Sequence, residues 1–383
     1  MTLLLQNPTV EHAEFVLPAH PDKLCDAVAD TIVERVQRAD PQGKVGVEVA
    51  CVFHHLVLTG RVAVREEAML DPVRGEALGE LVREVYASAG YGADAAGFVW
   101  EPGPRGIQVT DLRRMGVFDP DEREVRAFSD DQAICVGYAA ADAATGHIPP
   151  AHWLSRRIGR EPFRLCLEQG AGQVGPDGKV IVRVARDASG WRPLHVSISL
   201  NHHVGSDWML LNRLAAEAVE TACRGLPMPE LELNGAGEFT CSGPMGDNGL
   251  SGKKLVVDAY GPTVPIGGGA WSGKDFNKVD RIGGLLARRL ARATLAEAEA
   301  GEALVTLAYV PGCTGPVDTR ICLDGRERPL GSLPRTAGLP VGNAACAASF
   351  REVSRPLSEL ARWGHFQPGM PWERIPEAAE EWV

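Results

Sequence analysis

The sequence predicts an α+β protein of three similar domains, each a small mixed sheet with helices on one face, divided at 1–127, 128–242 and 243–383. Three observations carry that class. The 383 residues, 45% hydrophobic and 23% charged, have an ordinary globular composition and are enough for two or three domains. Mixed strand and helix patterns occur three times, each within roughly 110 residues. No fixed short period marks a solenoid or a propeller.

The first domain opens on residues 14–38, EFVLPAHPDKLCDAVADTIVERVQR. Leu24, Val28, Ile32 and Val36 recur every fourth residue with Cys25, Ala29 and Val33 beside them, the stripe of an amphipathic helix. Pro21 suits its first turn, so His20, Asp22 and Lys23 fall at a helix N-terminus, where free N–H groups and the dipole favour an anion. An ordinary helix start with an acidic first turn has the same pattern. The valine-rich run Lys44–Leu58 and the run Arg61–Val64 predict a hairpin that turns at Thr59-Gly60. The neighbours His54 and His55 point to opposite strand faces, poor geometry for a shared metal, and read as structural. A second helix, 74–88, runs through Leu78, Leu81, Val82 and Val85 to Gly90. After a strand at Gly97–Trp100, the polar stretch Glu101–Ser129 reads as one long loop, a mobile lid by its length.

The second domain has an apolar run at Ala133–Ala141, a polar link around Gly170–Gly178, strands Lys179–Arg186 and Pro193–Asn201, and a helix from about Ser206 to Cys223. The third has a strand Leu255–Tyr260, a helix from Val279 to about Glu299 and a strand Leu304–Val310. The aromatic, proline-rich tail Trp363–Trp382 packs over a domain surface.

The net charge of −11 argues against a general nucleic-acid surface. Nine scattered cysteines without a C-x-x-C pair are reduced-compartment usage. No stretch approaches a membrane span and the start has no basic leader, so the expected location is cytoplasmic, with neither membrane nor nucleic acid as a partner.

Within this acidic chain, Gly243–Lys278 reads GPMGDNGLSGKKLVVDAYGPTVPIGGGAWSGKDFNK. Glycines let a backbone approach a ligand with its N–H groups turned inward, and lysines place point charges on phosphate oxygens. The segment is therefore a candidate polyphosphate cradle; a solvated surface loop is the plain alternative. Gly268–Lys274 fits G-x-x-x-x-G-K, but Asp275 stands where a nucleotide P-loop needs Ser or Thr, and Pro265 breaks the preceding run. The Walker reading fails; the phosphate reading stands.

His20-Pro21-Asp22-Lys23, Gly243-Pro244-Met245-Gly246-Asp247 and Gly267–Asp275 together resemble the methionine adenosyltransferase, or S-adenosylmethionine synthetase, family. Asp131-Gln132, Pro176-Asp177-Gly178-Lys179, Lys278-Val279-Asp280-Arg281, Gly364-His365-Phe366 and Pro371-Trp372-Glu373 extend the likeness over nearly the whole chain in the family's order. The resemblance implies a pseudo-threefold arrangement of the domains and subunits that pair through flat sheet faces as a homodimer or dimer of dimers with shared active sites. It implies attack of a thioether sulfur on C5′ of ATP, expulsion of the triphosphate and its hydrolysis, with Mg2+ and K+ as cofactors. Such an attack needs alignment and charge stabilisation rather than a base, which suits a chain rich in cations and lacking a nucleophile–base triad.

Carried onto this chain, the resemblance places His20 and Lys179 by the triphosphate bridge and leaving oxygen, and Lys253, Lys254 and Lys274 on phosphates. His20, Lys179, Lys254 and Lys274 are the implied catalytic set. Asp177, Glu238, Phe239, Asp247 and Ala270 complete the ATP contacts, with Phe239 stacked on adenine. Asp22 and Asp280 would ligate magnesium and Glu48 potassium. Arg61, Gln108, Asp247 and Lys278 would meet the acceptor.

The chain departs from the family at Arg61, which stands where the family has the glutamate that takes the substrate ammonium, at Glu238 in place of arginine, and at Lys253, a milder change. The loop after Asp111 and the segment Leu17-Pro18-Ala19 also differ. The first reading is an ATP-dependent adenosyltransferase acting on methionine or an analogue. The others are a tripolyphosphatase of the same fold and a non-catalytic regulatory subunit, the last disfavoured by the intact lysines and magnesium carboxylates.

Overall fold

A computed structural model describes residues 9–92, 100–118, 127–169, 173–187 and 189–375. Three small sheets carry the fold, each with helices on one side. In the first, β2 (Lys44–Val52) and β3 (His55–Val64) pair antiparallel with Val52 opposite His55. The hairpin therefore turns at Phe53-His54, not at Thr59-Gly60. Phe53, with φ of 50°, takes the left-handed position that such a tight turn needs. Gly60 instead lies inside β3, where a Cβ would come within 2.1 Å of the Gly46 carbonyl oxygen. This glycine permits close backbone approach, which sequence alone cannot tell from a turn signal.

Val45, Val47, Val49 and Cys51 of β2 point into the core against α1 (Pro21–Ala39), as period-two alternation requires. Two short strands, β4 (Gln108–Asp111) and β5 (Arg114–Val117), lie parallel to successive parts of β3. They correct the expected loop 101–129, whose four-residue strands are too short and too polar to show a period. Residues 119–126, and 97–99 of the expected strand, lie outside the described residues. The second helix spans Gly75–Tyr86.

The central sheet has the order β1 (Thr9–Val16), β7 (Val174–Asp187), β8 (Gly190–His202), β9 (Glu230–Leu233). Helices α3 (Pro150–Gln169) and α4 (Trp208–Ala222) cover it, and Phe15, Val180, Val182, Ile198, Leu154 and Leu214 share one core. Gly159 and Pro162 interrupt the apolar period of α3, which is why no helix was expected there. The third sheet has the order β13 (Arg326–Arg328), β12 (Asp318–Leu323), β11 (Glu302–Tyr309), β6 (Ala133–Ala140), packed on α5 (Val279–Glu297).

The sheets interleave along the chain: β1 joins strands of the second segment, and β6 joins strands of the third. A contiguous division at 127/128 and 242/243 cuts across them, because an apolar strand pairs where its buried face finds a matching core. Leu255–Asp258, expected as strand, is a single helical turn, since four residues do not separate the two periods. The tail is internal rather than superficial at Trp372, which is fully buried and donates Nε1–H to the His365 carbonyl at 2.9 Å. Among the described residues no helix is long and apolar enough to cross a membrane.

Candidate active site

The first cluster forms where α1 begins. His20 caps the helix, and its Nδ1 accepts the Asp22 N–H at 3.2 Å. That bond leaves the ring proton on Nε2, which is then a donor. Burial pushes the His20 pKa down to about 3; Asp22 opposes this, and Lys179 and Lys254 add to it. The imidazole is thus neutral at ordinary pH. Burial also works against the Asp22 carboxylate, yet Lys254 Nζ at 2.8 Å and the Leu250 N–H at 2.9 Å hold its pKa below the usual range. Lys253 lies 3.8 Å from the same carboxylate.

Asp177 of β7 is buried, accepts the Gly243 N–H at 2.7 Å, and is pushed up to about 6 by burial. Lys179, two residues along, is exposed on the same strand. Asp247 is exposed at the end of the turn Gly243–Gly246. The Phe239 backbone is held by Asn201 and His202, while Glu238 before it is exposed. Gln108 donates its N–H to His54 at 2.7 Å, and Phe53 donates to Pro244 at 2.6 Å, so Gln108 belongs to this end of the sheet.

The glycine loops are pinned by a feature that the sequence reading missed. Asp22, Asp26 and Asp30 stand at i, i+4 and i+8 on one face of α1. Asp22 accepts from Leu250 N–H, Asp26 from Gly252 N–H at 2.7 Å and Asp30 from Gly273 N–H at 2.9 Å. The D-x-x-x-D-x-x-x-D spacing was the available signal. Lys23, fully buried, pairs with Asp26 at 3.4 Å and with Asp258, which compensates charge under the loops.

The second cluster lies at the other end of β2. Lys274 bridges to Gly46, and its Nζ meets Asp280 at 2.5 Å; Lys278 meets Asp130 at 2.6 Å. A Cβ on Gly269 would lie 1.9 Å from Asp280 Oδ1, so the loop packs directly on that carboxylate and a side chain there would displace it. Glu48, Thr59, Gly60, Asp131, Lys274 and Lys278 border a cavity of about 250 Å3. Arg61 stands opposite Gly46 on one side and beside Arg114 of β5 on the other. Ala270 packs between the clusters, its Cβ 2.3 Å from where one would sit on Gly252.

The clusters are separate within one chain. Asp22 and Asp30 are eight residues apart, about 12 Å along the helix. Gly46 and Cys51 are five apart on β2, about 17 Å. The structure thus gathers His20, Asp22, Asp177, Lys179, Asp247, Lys253 and Lys254 at one end, and Glu48, Arg61, Lys274, Lys278 and Asp280 at the other. The expected acceptor residues are divided, Gln108 and Asp247 from Arg61 and Lys278.

Among the described residues no three His, Cys, Asp or Glu side chains converge as a metal cage. Asp22 and Asp280 each offer one hard carboxylate beside phosphate-suited lysines. That donor set fits magnesium, which takes one or two carboxylates and completes its shell with water and substrate phosphate. The exposed Glu48 carboxylate, at the cavity edge, offers one hard ligand to a potassium ion.

Residues 9–104 match the family profile of the S-adenosylmethionine synthetase N-terminal domain, and residues 241–335 that of the C-terminal domain. The chain is 32% identical to the S-adenosylmethionine synthase of Corynebacterium glutamicum over 96% of this chain and 95% of that one. It is 33% identical to S-adenosylmethionine synthase 1 of Rhodospirillum rubrum over 94% of this chain and 95% of that one. An unusual S-adenosylmethionine synthetase from Campylobacter jejuni superposes with a TM-score of 0.85 at 23% identity, covering 97% of this chain and 98% of its own, a likeness of fold.

Proposed function

The chain belongs to the S-adenosylmethionine synthetase family, and from that premise we propose that it joins the sulfur of methionine or an analogous thioether to C5′ of ATP. The S–C5′ bond forms as the C5′–O bond breaks, and its electron pair leaves on the triphosphate. Water then splits the triphosphate to phosphate and diphosphate. The observation that carries the reading is the first cluster: a neutral His20 with a fixed Nε2–H, beside Lys179 and Lys254. A thioether has no proton to lose, so a site without a general base suits it. Negative charge grows on the leaving oxygens, and donors already in place lower that barrier without reorganising.

Lys254 and Lys253 would bind phosphates, and Asp177, Asp247, Glu238 and Phe239 would surround the nucleoside. Lys274 would reach the same triphosphate from the second cluster, and Ala270 would line the nucleotide. Asp22 and Asp280 would hold magnesium, which neutralises phosphate charge, and Glu48 would hold potassium. Gln108, Asp247, Arg61 and Lys278 would line the acceptor.

The separation of the two clusters supports a homodimer. They sit at opposite ends of one sheet, whose outward face between them carries Ala50, Val57 and Thr59. Twofold pairing of that face lays one copy's His20 end over the other's Lys274 end and forms two complete sites per pair. The test is mass spectrometry of the products from ATP with a panel of thioethers. A sulfonium with an adenosyl mass increment is expected; phosphate release alone, at the same rate without any thioether, would leave only the tripolyphosphatase reading.

A further inference from the structure

We infer that the cleft between the C-terminal half of α1 and the segment after α6 (Asn343–Phe350) is a second anion site, shaped for a phosphate ester and remote from the His20 end of the chain. The cleft encloses about 500 Å3, within the usual range for a small-molecule site. Three guanidinium groups border it: Arg38 from α1, and Arg351 and Arg355 from the segment that leads into α7 (Leu357–Trp363). One carboxylate, Glu34, borders it too, and that group is engaged by the Leu357 N–H at 2.6 Å. Arg355 shares its charge with Glu359 at 2.6 Å. The lining therefore keeps an excess of positive charge.

Two donors on lining residues, Gln37 Nε2 and Arg351 Nε, are buried without an acceptor. Burial also weakens the basicity of Arg351, with Asp275 opposing, as expected of a cation short of a counter-charge. Guanidinium groups arriving from separate elements suit the several oxygens of a phosphate better than the two of one carboxylate. Phe276 forms an apolar part of the wall, which suits the organic portion of an ester.

The same wall reaches the second cluster. Arg351 Nη2 donates to Asn277 Oδ1 at 2.8 Å, and Asn277 donates its backbone and side-chain N–H groups to Asp275 at 2.7 and 2.6 Å. Asp275 in turn accepts the Val45 N–H at 2.7 Å. An anion that draws Arg351 away from Asn277 thus acts on the loop between Lys274 and Lys278. That consequence for activity rests on the proposed transferase reading; the binding site does not.

The probe is inorganic pyrophosphate, titrated calorimetrically into the full chain carrying Lys254→Ala and Lys274→Ala, which removes the phosphate lysines of the proposed active site. Saturable binding is expected to persist there, and to weaken about tenfold or more when Arg38→Gln and Arg355→Gln are added. In the wild-type chain, pyrophosphate is expected to slow amide exchange over residues 34–41 and 351–357. Loss of all binding in a folded Lys254→Ala/Lys274→Ala chain, binding indifferent to the arginine changes, or protection confined to residues 20–22 and 250–254 would overturn the site. A chain inactive with every thioether that still binds here would overturn the transferase reading alone.

Discussion

Asp30 and Arg281 form a bidentate ion pair, at 2.9 and 2.8 Å, with both side chains out of solvent. The pair also grips the loop between them. Asp30 accepts the Gly273 N–H at 2.9 Å, and Arg281 donates to the Lys274 carbonyl at 2.7 Å. Arg281→Met leaves a buried carboxylate without its counter-charge, and should cost about 3–5 kcal/mol in urea unfolding. An unfolding midpoint equal to that of the wild type would mean that the clamp contributes nothing.

Lys179→Met should lower kcat about 10²–10³-fold while nucleotide binding, followed by fluorescence or calorimetry, changes little. On the proposed transferase reading, the cation acts on charge that develops only as the C5′–O bond breaks. Near-normal turnover would remove Lys179 from the reacting centre.

Asp22→Asn and Asp280→Asn should each raise the magnesium concentration needed for half-maximal rate, and chelator should stop turnover. Asp22 is balanced by Lys254 and, at longer range, Lys253, and Asp280 by Lys274, so each substitution also frees lysine charge for phosphate. Rates undiminished in chelator would rule out the metal role for both residues.

His152 provides a test of stability against pH. Burial, with Arg156 adding, pushes its pKa down to about 3. Between pH 6.5 and 3 the unfolded chain takes up a proton at this residue that the folded chain refuses. Its share of stability is therefore complete above about pH 6.5 and is lost as pH falls toward 3, by about 1.4 kcal/mol per pH unit. The stability gap between His152→Phe and the wild type should move in favour of the variant by about 2 kcal/mol from pH 6.5 to 5. A gap that stays constant with pH would show that His152 ionises as readily folded as unfolded.

Arg61 sets the fifth expectation. It lies in register with Arg114, next to the strand position that borders the Lys274–Lys278 cavity. Two guanidinium groups at that edge oppose an ammonium and welcome a carboxylate, an effect of about a hundredfold on methionine affinity at an effective dielectric of about 20. The wild type should prefer deaminated or 2-oxo analogues over methionine, and Arg61→Glu should reverse the order. A wide preference for methionine that Arg61→Glu does not improve would return Arg61 to a bystander.

The glycine and lysine loops of the candidate site were legible in sequence because their demands are local. Gly269 and Gly252 let loops close on side chains, Lys254 and Lys274 stand next to them in the chain, and Pro21 fixes where α1 begins. The interleaved sheets were not legible, since β1 and β6 find their partners through cores assembled from distant segments. Thr59-Gly60 misled because a glycine required by the nearby Gly46 backbone has the same letter as one required by a turn. Asp26 and Asp30 occupy positions that an amphipathic helix fills with polar residues anyway; their task depends on where Gly252 and Gly273 arrive, which no window of sequence contains.

The distance between the His20 end and the Lys274 end has a genetic consequence. Under twofold pairing, a chain disabled at Lys179 and a chain disabled at Lys274 are each inert as homodimers. A mixed pair has one site carrying both lesions and one carrying none. Co-expression of the two defective alleles should therefore restore activity, while two alleles defective at the same end should not rescue each other. For the same reason, specific activity should fall on dilution toward the dissociation constant of the pair, and added excess of either dead variant should poison a dilute wild-type preparation only in part, since each mixed pair keeps one intact site.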